Sequence, residues 1–362
     1  MSFDTLSRHF QHQARGAADF GSPFYGRFLA LVGEEVANPP YSDLLAPWTD
    51  TPSRQLAGEA VALRLAGGLR NLMLEGIAPR LAELFPPTAS DWPAIMEAAR
   101  QTAADNQGGL AAFMRSPPQT NEVGRALVLF GGFLEVARRT GRPLRCLELG
   151  ASAGLNLNWD AYRYDFAGQG GWGDEGSPVR MLAEAQGLRP PLEVRPVVAE
   201  RAACDQNPID LTDSAQVRRL QAYVWPDQVE RMLRLNAAIA VAQARGARVE
   251  RADAGDWAAE HVHPKPGLAT VVYHSIFWQY PPEAVRERLR DTIAQAGADA
   301  SADAPFAWLR FEPTLGQLGA VGAAGRVDFV YQVRLTLWPG GEDLCLATAH
   351  THGAWLNWQA PT

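Results

Sequence analysis

The chain has 362 residues, of which 47% are hydrophobic and 20% charged, and it carries a formal net charge of −7. This length predicts two domains with sizeable cores, and the composition is that of an ordinary globular protein. A negative net charge gives no sign of the basic surface that nucleic-acid binding usually requires. No apolar run approaches the roughly 20 residues of a membrane helix. Since the N-terminus has no signal-peptide core, we expect a cytoplasmic protein that binds neither nucleic acid nor membrane.

Scarce residue types exclude several chemistries. The three cysteines lie far apart without a C-x-x-C pair, so the sequence indicates neither a zinc cage nor a disulfide framework. Lys265 is the only lysine, and no glycine-rich loop ends in Gly-Lys, which excludes a Walker-type phosphate loop. Two histidine pairs have the spacing of two metal ligands, His261 with His263 and His350 with His352, but we favour no metal at either.

Residues 1–140 have the pattern of helices joined by proline-rich turns, and we predict an all-helical N-terminal cap domain there. One helical stripe, closed by Pro86-Pro87, consists of Leu72, Leu74, Ile77, Leu81 and Leu84. A second stripe consists of Val123, Leu127, Phe130, Leu134 and Ala137.

Over residues 141–362, apolar strands alternate with helices, which is typical of an α/β, Rossmann-like domain with a mostly parallel sheet. We predict strands over 144–149, 194–199, 247–252, 268–274, 306–311, 328–337 and 343–350. The last two form a C-terminal antiparallel hairpin around Pro339-Gly340-Gly341. Helices fit 282–296 and 214–245, the latter broken at Trp225-Pro226, and the glycine-rich segment 156–192 is predicted to be an irregular insertion.

The most informative stretch runs from Leu144 to Asn156 and reads LRCLELGASAGLN. Its first half is typical of a buried strand, and its second half is a tight turn of small residues that leads into a helix. Open α/β sheets build the crevice for a nucleotide-like ligand in this way, because glycine permits φ > 0 and a close approach of the backbone. A plain strand–helix connection has the same pattern. On the first interpretation, the cofactor contacts Glu148, Gly150, Ser152, Gly154 and Asn156.

The acid at the end of this strand indicates the kind of cofactor. Glu148 would repel a pyrophosphate, whereas it would attract the ammonium and sulfonium groups of S-adenosylmethionine. The pattern G-x-S-x-G also lacks the third glycine of the dinucleotide fingerprint. We therefore expect S-adenosylmethionine rather than NAD or FAD.

Acids after later strands offer acceptors for the rest of this cofactor. Asp253 and Ala254 follow a predicted strand, where a carboxylate and the backbone can accept a hydrogen bond from the adenine amino group. A helix cap is an equally good interpretation of Asp253 and the better one of Asp256. The cofactor set also includes Asp205, although the acid for the ribose hydroxyls is left open between Asp160, Asp165 and Asp205.

Two further segments supply candidates for catalysis and substrate binding. His274 ends a predicted strand and is the candidate base, with Trp278 and Tyr280 placed to face a cation. Alternatively, the two aromatic residues belong to the core and His274 forms a hydrogen bond with the backbone. The polar segment before the first strand is expected to reach over the ligand and bind substrate through Gln119, Asn121, Glu122 and Arg125.

Four separated motifs carry a family resemblance: QTNEVGR at 119–125, LELGASAGLN at 147–156, DQNPID at 205–210 and VWPDQ at 224–228. Together they resemble a family of uncharacterised bacterial proteins, domain of unknown function 2332, over nearly the whole chain. The resemblance implies a helical N-terminal part and a Rossmann-like C-terminal part, and it brings no established activity. At the level of the fold, the alternating sheet closed by a hairpin resembles class I S-adenosylmethionine-dependent methyltransferases.

The sequence thus favours a methyltransferase-like protein that acts on an unidentified small molecule or protein, mainly by aligning the reactants. One alternative is a serine hydrolase, because GASAG at 150–154 is a nucleophile-elbow pattern and Ser152, Glu312 and His350 or His352 follow in the right order. Against it, the elbow pattern follows the first convincing strand of the chain rather than several. The other alternative is a non-catalytic ligand-binding or interaction protein.

Overall fold

The computed structural model describes residues 3–86, 91–246, 248–315 and 329–360. The chain forms two compact units, the first with residues 1–120 and 212–233 and the second with residues 121–211 and 234–362. The division into a helical cap domain over residues 1–140 and an α/β domain over residues 141–362 stays a prediction. No helix within the described ranges is long and apolar enough to cross a membrane.

Helices dominate the first half of the chain, and strands appear only from Leu144 onward in the described residues. The α-helices are α1 (Phe3–Asp19), α2 (Pro23–Glu35), α3 (Tyr41–Leu45), α4 (Ser53–Glu59), α5 (Val61–Leu74), α6 (Pro79–Leu84), α7 (Trp92–Asp105), α8 (Gln107–Met114), α9 (Gly124–Thr140), α10 (Ser214–Ala222), α11 (Val229–Arg245), α12 (Ala254–His261) and α13 (Glu283–Ala298). The strands are β1 (Leu144–Leu149), β2 (Arg163–Phe166), β3 (Gly170–Trp172), β4 (Arg180–Gly187), β5 (Val198–Asp205), β6 (Glu250–Arg251), β7 (Ala269–Ser275), β8 (Phe306–Leu315), β9 (Phe329–Trp338), β10 (Glu342–Ala349) and β11 (Trp355–Trp358).

The single helix predicted from the leucine stripe at 72–84 is wrong, because the structure has two helices there. Gly76 adopts φ +80° after α5, a conformation that glycine enters without steric strain. The Gly76 amide donates to Met73 O and the Ile77 amide to Leu72 O, which is the pattern of a Schellman helix end. The apolar stripe is therefore divided between two separate helices, α5 and α6, which do not have a common axis.

The second unit is built on a sheet. Among the described residues, eleven strands have the order β3-β2-β4-β11-β10-β9-β8-β7-β1-β5-β6. The strands β8, β7, β1, β5 and β6 run parallel, as do the pairs β4–β11 and β2–β4. The other pairs are antiparallel. The predicted α/β class with a large, mostly parallel sheet is confirmed, and so is the hairpin of β9 and β10.

The segment 156–192 is not the irregular insertion that its glycines suggest. It contains β2, β3 and β4, and β4 pairs in parallel with β11, so these strands extend the sheet. Along β2, Tyr164 and Phe166 are buried while Arg163 and Asp165 are half-buried. This alternation spans only four residues, too few for the pattern to be recognised among glycines.

The other predicted boundaries shift by a few residues. The strand predicted over 194–199 is β5, and the one predicted over 247–252 shortens to β6. Ala247 and Asp328, which belong to predicted strands, lie outside the described residues. The predicted helix break at Trp225-Pro226 is confirmed, because α10 ends at Ala222 and α11 begins at Val229.

Helix α9 packs closely on the sheet because two adjacent glycines face it. A Cβ atom on Gly131 would lie 2.5 Å from the Trp358 ring, and one on Gly132 would lie 2.4 Å from Leu309 Cδ1. Both partner side chains are almost fully buried. The helix therefore approaches the sheet at a distance that only glycine permits.

Replacing Gly131 with alanine should lower the free energy of unfolding by about 1–3 kcal/mol, because the added methyl overpacks the rigid Trp358 ring. The matched control is Gly109→Ala in α8, where a Cβ atom would meet no other atom within 4 Å. That substitution should stabilise the protein by about 0.5–1 kcal/mol through helix propensity. Thermal unfolding of both variants checks this, and equal effects would contradict the packing argument.

Candidate ligand site at the carboxyl edge of the sheet

The order of the parallel strands reverses beside β1. After β1 the chain first forms β2–β4 at the far end of the sheet; it then adds β5 and β6 on one side of β1, and β7 and β8 on the other. In open α/β sheets, ligands bind outside the carboxyl ends of the strands at such a reversal. The ends of β1, β5 and β7 are therefore the candidate ligand site.

The turn after β1 has an unusual backbone. Gly150, Ser152 and Gly154 adopt φ values of +68°, +55° and +71°. A Cβ atom on Gly150 would lie 2.3 Å from the Phe277 ring, so this position needs glycine for two reasons. Ser152 holds a conformation that is uncommon for a residue with a side chain, and such residues cluster at functional sites.

Hydrogen bonds from β5 fix this turn. The amides of Gly150 and Ala151 donate to Cys204 O at 3.0 and 3.1 Å. The Ser152 amide donates to Asp205 Oδ2 at 2.9 Å, and the Asn207 amide donates to Asp205 Oδ1 at 2.8 Å. Asp205 thus lies beside the glycine turn, at the end of the neighbouring strand.

The other two acids considered for the ribose hydroxyls have different partners. Asp160 forms bidentate hydrogen bonds with Arg201 and with Arg245, at 2.9 to 3.1 Å. Asp165 pairs with Arg163 at 2.7 Å on the β2–β3 hairpin. Of the three acids, only Asp205 contacts the glycine turn.

Glu148 is buried at the end of β1, with 2% of its surface exposed. Burial raises the pKa of its carboxyl group from the ordinary 4.5 to about 8, while the hydrogen bond from Tyr273 Oη to Glu148 Oε2 at 3.1 Å opposes this rise. The carboxyl group is therefore mostly protonated at neutral pH. It becomes the anion expected from the sequence only if a nearby cation favours the ionised form.

The segment before α9 contacts the same edge. Asn121 Oδ1 accepts a hydrogen bond from the Leu155 amide at 2.9 Å, and Glu122 Oε1 accepts one from the Gly124 amide at 3.0 Å. Arg125 donates to the carbonyl of Ser275 at 3.2 Å. Of the four residues in this segment that are predicted to bind substrate, three thus lie at this edge, where they also brace the backbone.

The fourth residue, Gln119, belongs to the first compact unit.

Two buried polar atoms at this edge make no hydrogen bond with any described residue. They are Ser152 Oγ and Asn156 Oδ1, on residues that are 5% and 2% exposed. The amide nitrogen of Asn156 donates to Glu122 O at 3.4 Å, which leaves the oxygen as an acceptor. Because buried polar groups normally have partners, these atoms indicate a place for water or ligand.

His274, the predicted base, is fully buried at the end of β7. The indole N–H of Trp308 donates to His274 Nε2 at 3.0 Å, so His274 Nδ1 carries the ring proton and donates to Glu312 Oε1 at 2.7 Å. Both ring nitrogens are therefore engaged. In the sequence, Glu312 is a candidate only for the hydrolase triad, and no local pattern indicates its pair with His274, because that pair forms across two strands.

The two aromatic candidates after β7 lie in different surroundings. Trp278 stacks on the His274 ring at 5.2 Å between centroids, and the Arg290 guanidinium lies 5.6 Å from its ring centre. Tyr280 is 72% exposed. Trp278 is thus part of the packed strand end, whereas Tyr280 is accessible.

Asp253 follows β6 and is the N-cap of α12. Its Oδ1 accepts hydrogen bonds from the amides of Gly255 and Asp256, at 2.9 and 3.3 Å, and pairs with Arg288 at 2.9 Å. The cap is therefore Asp253 rather than Asp256, because Asp253 holds the extended backbone that precedes the helix. Ala254 is buried at the first position of α12. That Asp253 and Ala254 bind adenine stays a prediction.

The residues of the alternative hydrolase triad do not meet in the described structure. Ser152 Oγ makes no hydrogen bond, and Glu312 pairs with His274. His350 Nδ1 accepts from the His352 amide at 3.2 Å. The described residues also contain no group of three or more side chains that could hold a metal ion.

A family model for "Uncharacterized protein conserved in bacteria (DUF2332)" matches residues 7–358. The chain belongs to this family. The match confirms the family resemblance of the four motifs, and the description of DUF2332 assigns no activity. Comparisons with curated proteins and with solved structures gave no match.

Replacing Gly150 with alanine should destabilise the protein by about 2–4 kcal/mol, because strain at positive φ adds to the overlap with Phe277. Gly168 provides the control, since it has φ +73° but no atom within 4 Å of a Cβ. Gly168→Ala should cost about 1–2 kcal/mol, the strain alone. Chemical unfolding of both variants measures the difference in the free energy of unfolding. An equal loss in both variants would show that the Phe277 ring moves aside at no energetic cost.

The raised pKa of Glu148 predicts a specific pH dependence. The folded state holds an extra proton between about pH 4.5 and pH 8, so the stability contributed by this group falls as the pH rises through that range. Glu148→Gln cannot ionise, and it should gain stability over the wild type as the pH rises, by about 1.4 kcal/mol for each pKa unit by which burial raises Glu148. Thermal unfolding of both proteins at several pH values tests this, and a constant difference would contradict it.

Proposed function

We propose that this protein binds S-adenosylmethionine at the carboxyl edge of β1, β5 and β7 and is a methyltransferase that acts on a small molecule or protein. One observation carries the proposal: the glycine turn after β1 lies at the reversal of strand order, between the acids that end β1 and β5. This is where α/β sheets of this type bind nucleotide-like ligands. The resemblance to class I methyltransferases that the sequence predicts agrees with the proposal, although a shared fold does not by itself imply a shared function.

The polar groups at the edge fit this cofactor. Ser152 Oγ and Asn156 Oδ1 are buried and can accept hydrogen bonds from amino or hydroxyl groups. Asp205 is half-buried and offers a carboxylate for the ribose hydroxyls. Glu148, once ionised, offers a negative charge to an ammonium or sulfonium group, which would lower its pKa again.

When bound, the cofactor supplies an electrophilic methyl group, and its transfer to a lone pair of the acceptor leaves a neutral thioether. The protein's part is to hold acceptor and methyl group in line and to exclude water. The proton that the acceptor loses needs a base. For His274 to take it, Nε2 must first lose the hydrogen bond from Trp308.

The engaged ring of His274 favours a second candidate function, in which the protein binds the ligand without turnover. Both nitrogens of His274 have partners and the ring is fully buried, as expected of a structural histidine. Binding of S-adenosylmethionine with no methyl transfer to any acceptor class would support this candidate over the methyltransferase.

Isothermal titration with S-adenosylhomocysteine tests the cofactor site. Asp205→Asn should weaken binding by roughly tenfold or more, because a carboxylate accepts hydrogen bonds more strongly than an amide. The control is Asp165→Asn, whose carboxylate pairs with Arg163 away from the turn, and it should bind like the wild type. If the wild type binds neither S-adenosylhomocysteine nor S-adenosylmethionine, the proposal is wrong.

A further inference from the structure

We propose that Glu312 is a positioning residue of this site, which holds the turn after β7 against the glycine turn after β1. What the site binds rests on the proposed function, whereas the positioning itself rests on contacts within the protein. Glu312 lies on β8, which pairs in parallel with β7, the strand that carries His274.

A single oxygen of Glu312 accepts hydrogen bonds from three donors. Glu312 Oε1 accepts hydrogen bonds from His274 Nδ1 at 2.7 Å, from the Phe277 amide at 2.9 Å and from the Trp278 amide at 3.2 Å. Two of these donors are backbone amides of the turn after β7. The carboxylate therefore fixes the path of that turn as well as the orientation of the histidine ring.

The turn needs such a restraint because its backbone is strained. Ile276 adopts φ +48°, which is a genuine outlier for a β-branched side chain. Conformations of this kind cost of order 1–3 kcal/mol and persist only where the surroundings over-determine them. The Ile276 amide donates to Phe311 O at 2.8 Å, and Glu312 binds the next two amides, so three consecutive amides are tied to β8.

The restraint reaches the β1 turn through Phe277. The nearest atom of its ring lies 2.3 Å from the position that a Cβ atom on Gly150 would occupy. If the hydrogen bond from the Phe277 amide to Glu312 is lost, the position of the ring against Gly150 is no longer fixed. Glu312 thus acts on the ligand-binding turn through one aromatic ring.

The His274 ring is also held on its other side, away from Glu312. Trp308 donates to His274 Nε2, so the imidazole cannot turn away from Glu312 without losing two hydrogen bonds. Trp308 itself lies under the Arg310 guanidinium, 4.2 Å from the ring centre. The order of contacts, from Trp308 through His274 and Glu312 to Phe277 and Gly150, joins β8, β7 and β1.

Hydrogen exchange of Glu312→Gln tests the proposal independently of any ligand. The variant should raise amide exchange roughly tenfold in the peptide 273–280 and also in the peptide 148–156, because a neutral amide holds the turn less firmly. The control is Glu135→Gln, which removes another buried carboxylate, paired with Arg138 and Arg139 on α9. It should leave both peptides at the rates expected from its global stability.

Exchange that rises only in 273–280, or in neither peptide, would overturn the positioning role. If Glu312→Gln does not fold, Phe277→Leu serves instead, since it keeps the backbone bonds to Glu312 and removes the ring above Gly150. That variant should speed exchange in 148–156 alone, and unchanged exchange there would equally overturn the proposal.

Titration with S-adenosylhomocysteine separates this inference from the proposed function. Where the wild type binds, Glu312→Gln should weaken binding by roughly tenfold while Glu135→Gln does not. A Glu312→Gln variant that binds as tightly as the wild type would overturn the positioning role. A wild type that does not bind refutes the cofactor assignment, and the exchange data then decide the role of Glu312 by themselves.

Discussion

Parallel pairing of β1 with β5 on one side and β7 on the other brings three carboxyl strand ends to one edge of the sheet. Residues far apart in the chain meet there as a result: Asp205 holds the amide of Ser152, and Arg125 binds the carbonyl of Ser275. The glycine turn has its shape because β5 accepts its amides. Without this pairing, the polar residues of the edge would be scattered over separate loops.

The edge also holds several features that oppose stability. Glu148 is a buried carboxyl group whose pKa is raised by burial, Ser152 and Ile276 have positive φ, and Asn156 keeps a buried oxygen without a described partner. A positive φ at a residue with a side chain, or a buried oxygen without a partner, is unfavourable by an amount of order 1–3 kcal/mol. Proteins break local rules of this kind mainly at functional sites, and here these features lie together where the order of the parallel strands reverses.

Local signals in the sequence were enough to predict part of this arrangement. The strand and turn at 144–156 follow from apolar residues and glycines that are adjacent in the chain, and Pro226 predicts the helix break. Contacts between distant residues could not be predicted. Glu312 meets His274 only because β7 and β8 pair in parallel, and Asp253 is seen as a cap only once α12 is known to begin at Ala254.

The same limit explains the missed strands. The segment 163–187 has few apolar residues in alternation, and its strands form because β11 offers an unpaired edge to β4. Such pairing depends on a strand more than a hundred residues later in the chain, so no local pattern indicates it. The two glycines of α9 are another example, because their role depends on Trp358 and Leu309 across the core.

The two ends of the sheet have a consequence for the behaviour of the protein in concentrated solution. An exposed edge strand offers free amides and carbonyls on which another chain can build, which is a common start of aggregation. In the part of the chain that the structure describes, the outermost strands are β3 with three residues and β6 with two, and β6 consists of Glu250 and Arg251. Strands so short, one of them charged throughout, give a neighbouring molecule almost no template. Both ends of the sheet that the described residues form are therefore poor sites for the addition of another strand.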